Sequence, residues 1–249
     1  MNAVKDKLKA GETAIGTTGG LKTPVDFLAD AGFDFILFDT QHSAVEIKEL
    51  QGQLQAMRGK RAVPVIRVGS NDQAEVCYAL DIGAKGIIVP MVNNRQEMVD
   101  MTKYCWYPPA GIRSSAGMRG EWGTFKNYRE YMDAVNEELL VIPMVETVGG
   151  MKNLEDILSV PGIDVLLVGP SDLSIALDLV LDYDNPRYQG ELDRIVAACE
   201  DAGVSPGMYF LPSGHDPNMY VEKGFRFFTL PWAPWAAAGV KNGLATVKR

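Results

Sequence analysis

The chain has 249 residues, 47% hydrophobic and 22% charged, with a formal net charge of -8 and no basic block. That length allows one large domain with a substantial core, and the acidic balance argues against nucleic acid or anionic membrane as the main partner. No apolar run approaches a membrane span, the opening MNAVKDKLKAGE lacks the apolar stretch of a signal peptide, and Cys77, Cys105 and Cys199 form an odd set without CxxC spacing. The expectation is a cytoplasmic protein with reduced, buried thiols.

The first strand is predicted at residues 13–18 (TAIGTT), followed by a Gly-rich turn and a helix over 23–31. The second, residues 34–39 (DFILFD), runs into TQHS, and apolar residues Ile47, Leu50, Leu54 and Met57 then mark a helix over 45–57. The third strand is 62–68 (AVPVIRV), and Asn71 or Asp72 caps a helix reaching Asp81. The fourth is 86–92 (GIIVPMV), with a helix over 95–104. Residues 106–125 (WYPPAGIRSSAGMRGEWGTF) then break the rhythm with a long Gly-, Pro- and Ser-rich loop, a length that in a compact domain usually serves function or motion. A helix over 128–136 restores the pattern.

Residues 139–174 organise the rest. The apolar runs LLVIPMV and DVLLVGP suit strands buried on both faces, and an amphipathic segment over 150–160 separates them. Strand, crossover helix and strand make a βαβ unit whose strands are parallel neighbours. Glu146 and Asp172 then lie just past the same end of adjacent strands, where two carboxylates can share one hard divalent cation such as Mg²⁺ or Mn²⁺. After SDLSIALDL come a helix over 190–202, strands at 204–210 and 225–230, and a last helix over 233–247.

Strands alternating with helices in this order predict a closed (β/α)₈ TIM barrel over residues 1–249. An open doubly wound sheet is the alternative, but the first βα turn lacks G-x-G-x-x-G. Barrel active sites lie at the C-terminal strand ends. These ends supply Asp39, Gln41, His42, Arg67, Glu146, Ser171 and Asp172. His42 is either a general acid or base or a helix-flanking polar residue. Arg67, the one charge in its strand, calls for an anion: a structural carboxylate such as Asp39, Glu146 or Asp172, or a substrate one. No strand end offers a nucleophilic Cys or a GxSxG elbow; for a Schiff base, Lys85 precedes its strand, at the wrong end, and only Lys22, after the first strand, stays open. The loops LPSGHDPN and PWAPW are no phosphate cradle. PWAPW places Trp232 and Trp235 near the mouth, either to shape a substrate pocket or to pack at a subunit interface.

Together FDFILFDTQHS, PVIRV, LDIGAKGIIVPMV, YPPAGIRS, MVET and VGPSDLS, in order over residues 32–174, resemble the HpcH/HpaI family of class II, metal-dependent 2-oxo-acid aldolases. The resemblance implies a barrel of the phosphoenolpyruvate/pyruvate-binding type. It implies Glu146 and Asp172 as ligands of a divalent metal (Mg²⁺, Mn²⁺ or Co²⁺). It implies Arg67 against the oxo acid and its enolate oxygen, His42 in proton transfer and Asp39 on the acceptor side. Asp81 matches an acid that reaches a neighbouring subunit's site and orients its histidine. Gln41, Gly169, Pro170, Ser171 and Trp232 border the substrates, a small 2-oxo acid and an aldehyde, in a homo-oligomer, a hexamer by resemblance. Gln41 stands where many members have Glu, and PWAPW departs from the usual Gly-Ser-Asp-type ending. On residues alone, a decarboxylase, a CoA-ester lyase and a non-catalytic metal-binding barrel stay open.

Overall fold

A computed structural model describes residues 2–248. Eight parallel strands close a barrel in sequence order: β1 (Ala14–Gly19), β2 (Phe35–Asp39), β3 (Val63–Arg67), β4 (Gly86–Val89), β5 (Leu140–Val145), β6 (Val165–Val168), β7 (Ser205–Met208) and β8 (Phe227–Thr229). β8 pairs back onto β1, so no strand edge is left open. The predicted (β/α)₈ barrel is the observed fold.

Alternation along the strands builds two apolar layers. Phe35 and Leu37 of β2, Val63 and Val65 of β3, Leu140, Ile142 and Met144 of β5 and Val165 and Leu167 of β6 fill the barrel. Ile36, Phe38, Ile66, Val141 and Leu166 face outward and are covered by the helices. Each fully buried side chain of this size contributes about 1.5–3 kcal/mol. Phe35 and Phe227 stack inside the barrel with ring centroids 4.1 Å apart. Gly16 is what lets them do so, because a Cβ there would overlap the Phe35 ring.

Several elements differ from the sequence reading, each for a local reason. The helix expected over 45–57 is a 3₁₀ turn, Ile47–Leu50, opened by a Glu46/Glu49 capping box, then an α-helix, Gln51–Ala56. The helix expected over 150–160 starts earlier, because Thr147 Oγ1 accepts from Gly150 N–H at 2.9 Å. It splits at Asn153 into Val148–Lys152 and Leu154–Leu158. There the Asn153 side-chain amide donates to Asn93 O at 2.8 Å. β4 stops at Val89, because Pro90 has no N–H and Met91 turns left-handed with φ 58°. Helices Ala3–Lys9 and Pro217–Lys223 were not predicted; Asp216 caps the second by accepting from Asn218 N–H. The long loop holds one 3₁₀ turn, Gly120–Trp122, and is anchored by buried Tyr107, Arg113 and Trp122. Among the described residues no helix is long and apolar enough to cross a membrane.

Candidate active site

The inward alternation does not stop at the apolar filling. One step beyond Leu37 is Asp39, beyond Val65 is Arg67, beyond Met144 is Glu146 and beyond Leu167 is Gly169. A polar layer therefore sits on an apolar floor at the C-terminal mouth. Asp39 and Arg67 are direct register partners across β2 and β3. Arg67 Nε donates to Asp39 Oδ1 at 2.8 Å and Nη2 donates to Oδ2 at 2.6 Å, a two-pronged grip on a guanidinium only 3% exposed. Burial works against both charges. For Arg67 the Asp39 hydrogen bond and the nearby Tyr209, Asp39 and Glu146 outweigh it, so its pKa is raised. For Asp39 the Arg67 hydrogen bond and charge, with backbone N–H groups of Gln41 and His42, hold the carboxyl below the usual carboxylate range. The pair stays ionised through the working range of pH.

Glu146 is held differently. It is 2% exposed. Oε1 accepts the Met91 N–H at 2.9 Å, while Oε2 is buried without a hydrogen-bond partner. The donor is delivered by the left-handed backbone of Met91, a conformation costing a non-glycine residue about 1–3 kcal/mol. Burial pushes the Glu146 carboxyl up; Met91 N–H opposes, Asp172 pushes the same way, and Arg67 opposes. Among the described residues no cation forms an ion pair with this carboxylate, which has one orphaned oxygen and a second carboxylate in its field. Gly169 completes the cradle, since a Cβ at that position would overlap Glu146 Oε2. Asp172 lies in the first turn of the helix Pro170–Ala176, with its side chain exposed at the mouth.

These residues fit a hard divalent cation. Two carboxylates are the usual protein share for Mg²⁺ or Mn²⁺, with water and substrate oxygens completing the shell. Among the described residues no group of three or more His, Cys, Asp or Glu side chains that could hold a metal ion occurs, so any such ion would rest on a smaller set of protein ligands. Gly169→Ala is expected to lower metal-dependent turnover at least about tenfold while leaving the far-ultraviolet circular dichroism unchanged, because the methyl displaces the Glu146 carboxylate and otherwise overlaps only the flexible end of Met144.

The comparisons now decide the family. Residues 22–232 match HpcH/HpaI aldolase/citrate lyase. The chain belongs to this family. It is 34% identical over 228 residues to a 4-hydroxy-2-oxo-heptane-1,7-dioate aldolase from Salmonella typhimurium, covering 91% of this chain and 86% of that protein. It is 32% identical to the aldolase of that name from Shigella sonnei, covering 91% and 87%. A crystal structure of an HpcH/HpaI aldolase/citrate lyase family protein from Burkholderia cenocepacia superposes with a TM-score of 0.86 at 28% identity, covering 100% of each chain. The chain is thus an enzyme, a carbon–carbon lyase of the aldolase kind, in a family whose aldolases depend on divalent metal.

In this aldolase the remaining predicted residues fall into three places. Gln41 and His42 are on the same rim as Asp39: Gln41 N–H donates to Asp39 Oδ1 at 3.0 Å, and the His42 side chain is exposed. Ser171 borders the cradle, its Oγ 3.2 Å from Tyr183 Oη, and Pro170 is buried beside it. Trp232 is half-buried and packs on the outer apolar layer as the residue before the last helix. Asp81 is apart from the carboxylates. It ends the helix Gln73–Asp81, which runs away from the mouth, and pairs with buried Arg113 at 3.5 Å. Within one chain Asp81 cannot serve the Arg67–Glu146 site. One residue of the site was missed. Tyr209 has the inward parity of Gly207 in β7, and its ring centroid lies 4.1 Å from Arg67 Cζ. The alternation that exposes Asp39 and Arg67 extends to Tyr209, but a lone aromatic after a strand reads as packing.

Proposed function

We propose that this aldolase reversibly cleaves a 4-hydroxy-2-oxo acid into pyruvate, or a related 2-oxo acid, and an aldehyde. The observation that carries the proposal is the pairing of opposites in one layer: a buried Glu146 with an orphaned oxygen, and a buried Arg67 that Asp39 holds at one edge only. A divalent cation held by Glu146 and Asp172, Mg²⁺ or Mn²⁺ by oxygen-ligand chemistry and Co²⁺ as a further candidate, supplies Lewis acidity toward the 2-oxo acid. Arg67 spends two N–H groups on Asp39 and keeps others, one beside Met144 Sδ at 3.8 Å, for the oxygen that becomes negative as C3–C4 breaks. Asp39 fixes that guanidinium and is itself fixed by Gln41 N–H. His42, exposed on the same rim, exchanges the C4 hydroxyl proton with solvent. Gly169, Pro170 and Ser171 border the substrate carboxylate, near first-turn N–H groups that have no intrahelical acceptor.

We further infer a homo-oligomer, with a hexamer favoured, working in the cytoplasm. The last helix, Ala233–Ala245, has no buried residue and exposes Trp235, Val240 and Leu244 by 52%, 63% and 51%. Ile15 on the outside of β1 and Phe27 nearby are 37% and 67% exposed. Apolar faces of this kind seek a second copy. In such an assembly Asp81 orients a neighbour's His42. Three free cysteines, two of them buried, suit a reducing compartment.

The test is substrate cleavage. Purified protein with Mn²⁺ should release pyruvate from 4-hydroxy-2-oxo acids and leave CoA thioesters of hydroxy acids intact. Cleavage of the thioesters alone would transfer the site to another lyase reaction.

A further inference from the structure

Arg67 is gripped by Asp39 along one edge, and such a grip leaves the flat guanidinium free to swing out of its plane. The group that blocks the swing is aromatic. The Tyr209 ring lies against the guanidinium at 4.1 Å from Cζ, a distance suited to cation–π attraction. The ring comes from a fixed point: Tyr209 N–H donates to Val168 O at 3.0 Å, extending the β6–β7 ladder one residue past β7. Its foot packs against the inner apolar cluster. Phe210 meets it edge-on at 82°, Tyr183 meets Phe210 edge-on at 85°, and Tyr183 reaches Ser171. A chain of rings therefore runs from the arginine to the cradle that holds Glu146.

We propose that Tyr209 is a positioning residue for Arg67: its ring face forms the wall that keeps the guanidinium aimed across the barrel toward Glu146. The proposal rests on the aldolase reading above. Burial, together with the negative charge of Asp39, pushes the Tyr209 phenol up despite Arg67, so the ring stays neutral. Arginine is the cation suited to this contact, because its planar, weakly hydrated head can lie flat on a ring while its edge donates. The hydroxyl hydrogen-bonds Asp39 and so supports the same grip, but the wall against the guanidinium is the ring.

The experiment is a double-mutant cycle read by exchange of pyruvate methyl protons in deuterated water with Mn²⁺. Tyr209→Phe keeps the ring and should stay within about threefold of the starting rate, while Tyr209→Leu should lose about tenfold or more in kcat with a smaller change in KM. In an Arg67→Ala background Tyr209→Leu should cost less than about twofold more. Equal losses in both backgrounds, or no loss in either, would overturn the proposal. A second readout needs no turnover. Phenylglyoxal modification of Arg67, followed by peptide mass spectrometry on folded protein, should run at least about fivefold faster in Tyr209→Leu and unchanged in Tyr209→Phe. An unchanged rate in Tyr209→Leu would sink it. If the unmutated enzyme exchanges no protons, the aldolase reading fails, and the modification rates still decide the role of Tyr209.

Discussion

Glu146→Gln is expected to abolish metal-dependent turnover and to leave the metal-free protein more stable at alkaline pH than its parent. The two effects have one cause. Glu146 is buried, with one oxygen orphaned and its carboxyl pushed up, chiefly by burial. Above its ordinary value of 4.5 the unfolded chain has released this proton, whereas the folded protein still holds it until its own higher value is passed. The folded state therefore binds more protons in that window, and stability falls as pH rises through it. The neutral amide has no such window. It keeps an oxygen for the Met91 N–H and removes the buried negative charge, so the metal-free variant should unfold at a higher temperature at pH 8 than the parent. Metal reverses the order. A divalent cation should raise the melting temperature of the parent and not of the variant. Turnover should fall on the order of a thousandfold, since a Lewis acid contributes several kcal/mol and each 1.4 kcal/mol or so is tenfold. Melting curves with and without Mn²⁺ at two pH values check the two stability arms, and initial rates with Mn²⁺ check turnover. A variant that still gains stability from Mn²⁺ would show that Glu146 is no ligand.

Arg67→Ala is the second large effect, and it should appear in both stability and activity. The mutation strands Asp39, whose side chain is only 20% exposed. Breaking a buried pair from one side costs about 3 kcal/mol, because the remaining charge has lost its partner without recovering water. Asp39 then loses what held its carboxyl low, and burial, the largest influence on it, pushes it up. Removing both residues should be less harmful to stability than removing Arg67 alone. Activity should fall about 10²–10³-fold, the usual loss when a donor to a developing oxyanion is deleted. Arg67→Lys restores charge but not the planar fork that spans both Asp39 oxygens, so its turnover should lie between the two. Denaturant melts and initial rates on the single and double variants are the measurements. Arg67→Ala with parental turnover would remove the arginine from the chemistry.

The fold was legible because β2, β3, β4, β5 and β6 are short apolar runs buried along their length, and closure into a barrel covers both faces of such runs. The cradle was half legible. Glu146 and Asp172 were visible as acids past neighbouring strands, and β5 and β6 do pair. Gly169 was taken as a substrate-side residue; its reason, room for a carboxylate, needed coordinates. So did the left-handed turn at Met91, because nothing in the letters VPMV marks a donor aimed at Glu146. Arg67 had several acids in view from sequence, and register chose Asp39. Tyr209 escaped because a lone aromatic after a strand reads as packing. Asp81 could not be placed from sequence, since its helix carries it away from the mouth and into the field of Arg113.

If a divalent cation on Glu146 and Asp172, with Arg67 opposite, serves enolate formation, the enzyme should labilise the methyl protons of pyruvate. Exchange of pyruvate methyl protons in deuterated water, followed by proton NMR, tests it without any knowledge of the aldehyde. Exchange should occur with Mg²⁺ or Mn²⁺, cease in excess chelator, and recover when metal is restored. Full exchange in chelator, or a borohydride-reducible adduct between pyruvate and a lysine, would contradict that role for the metal.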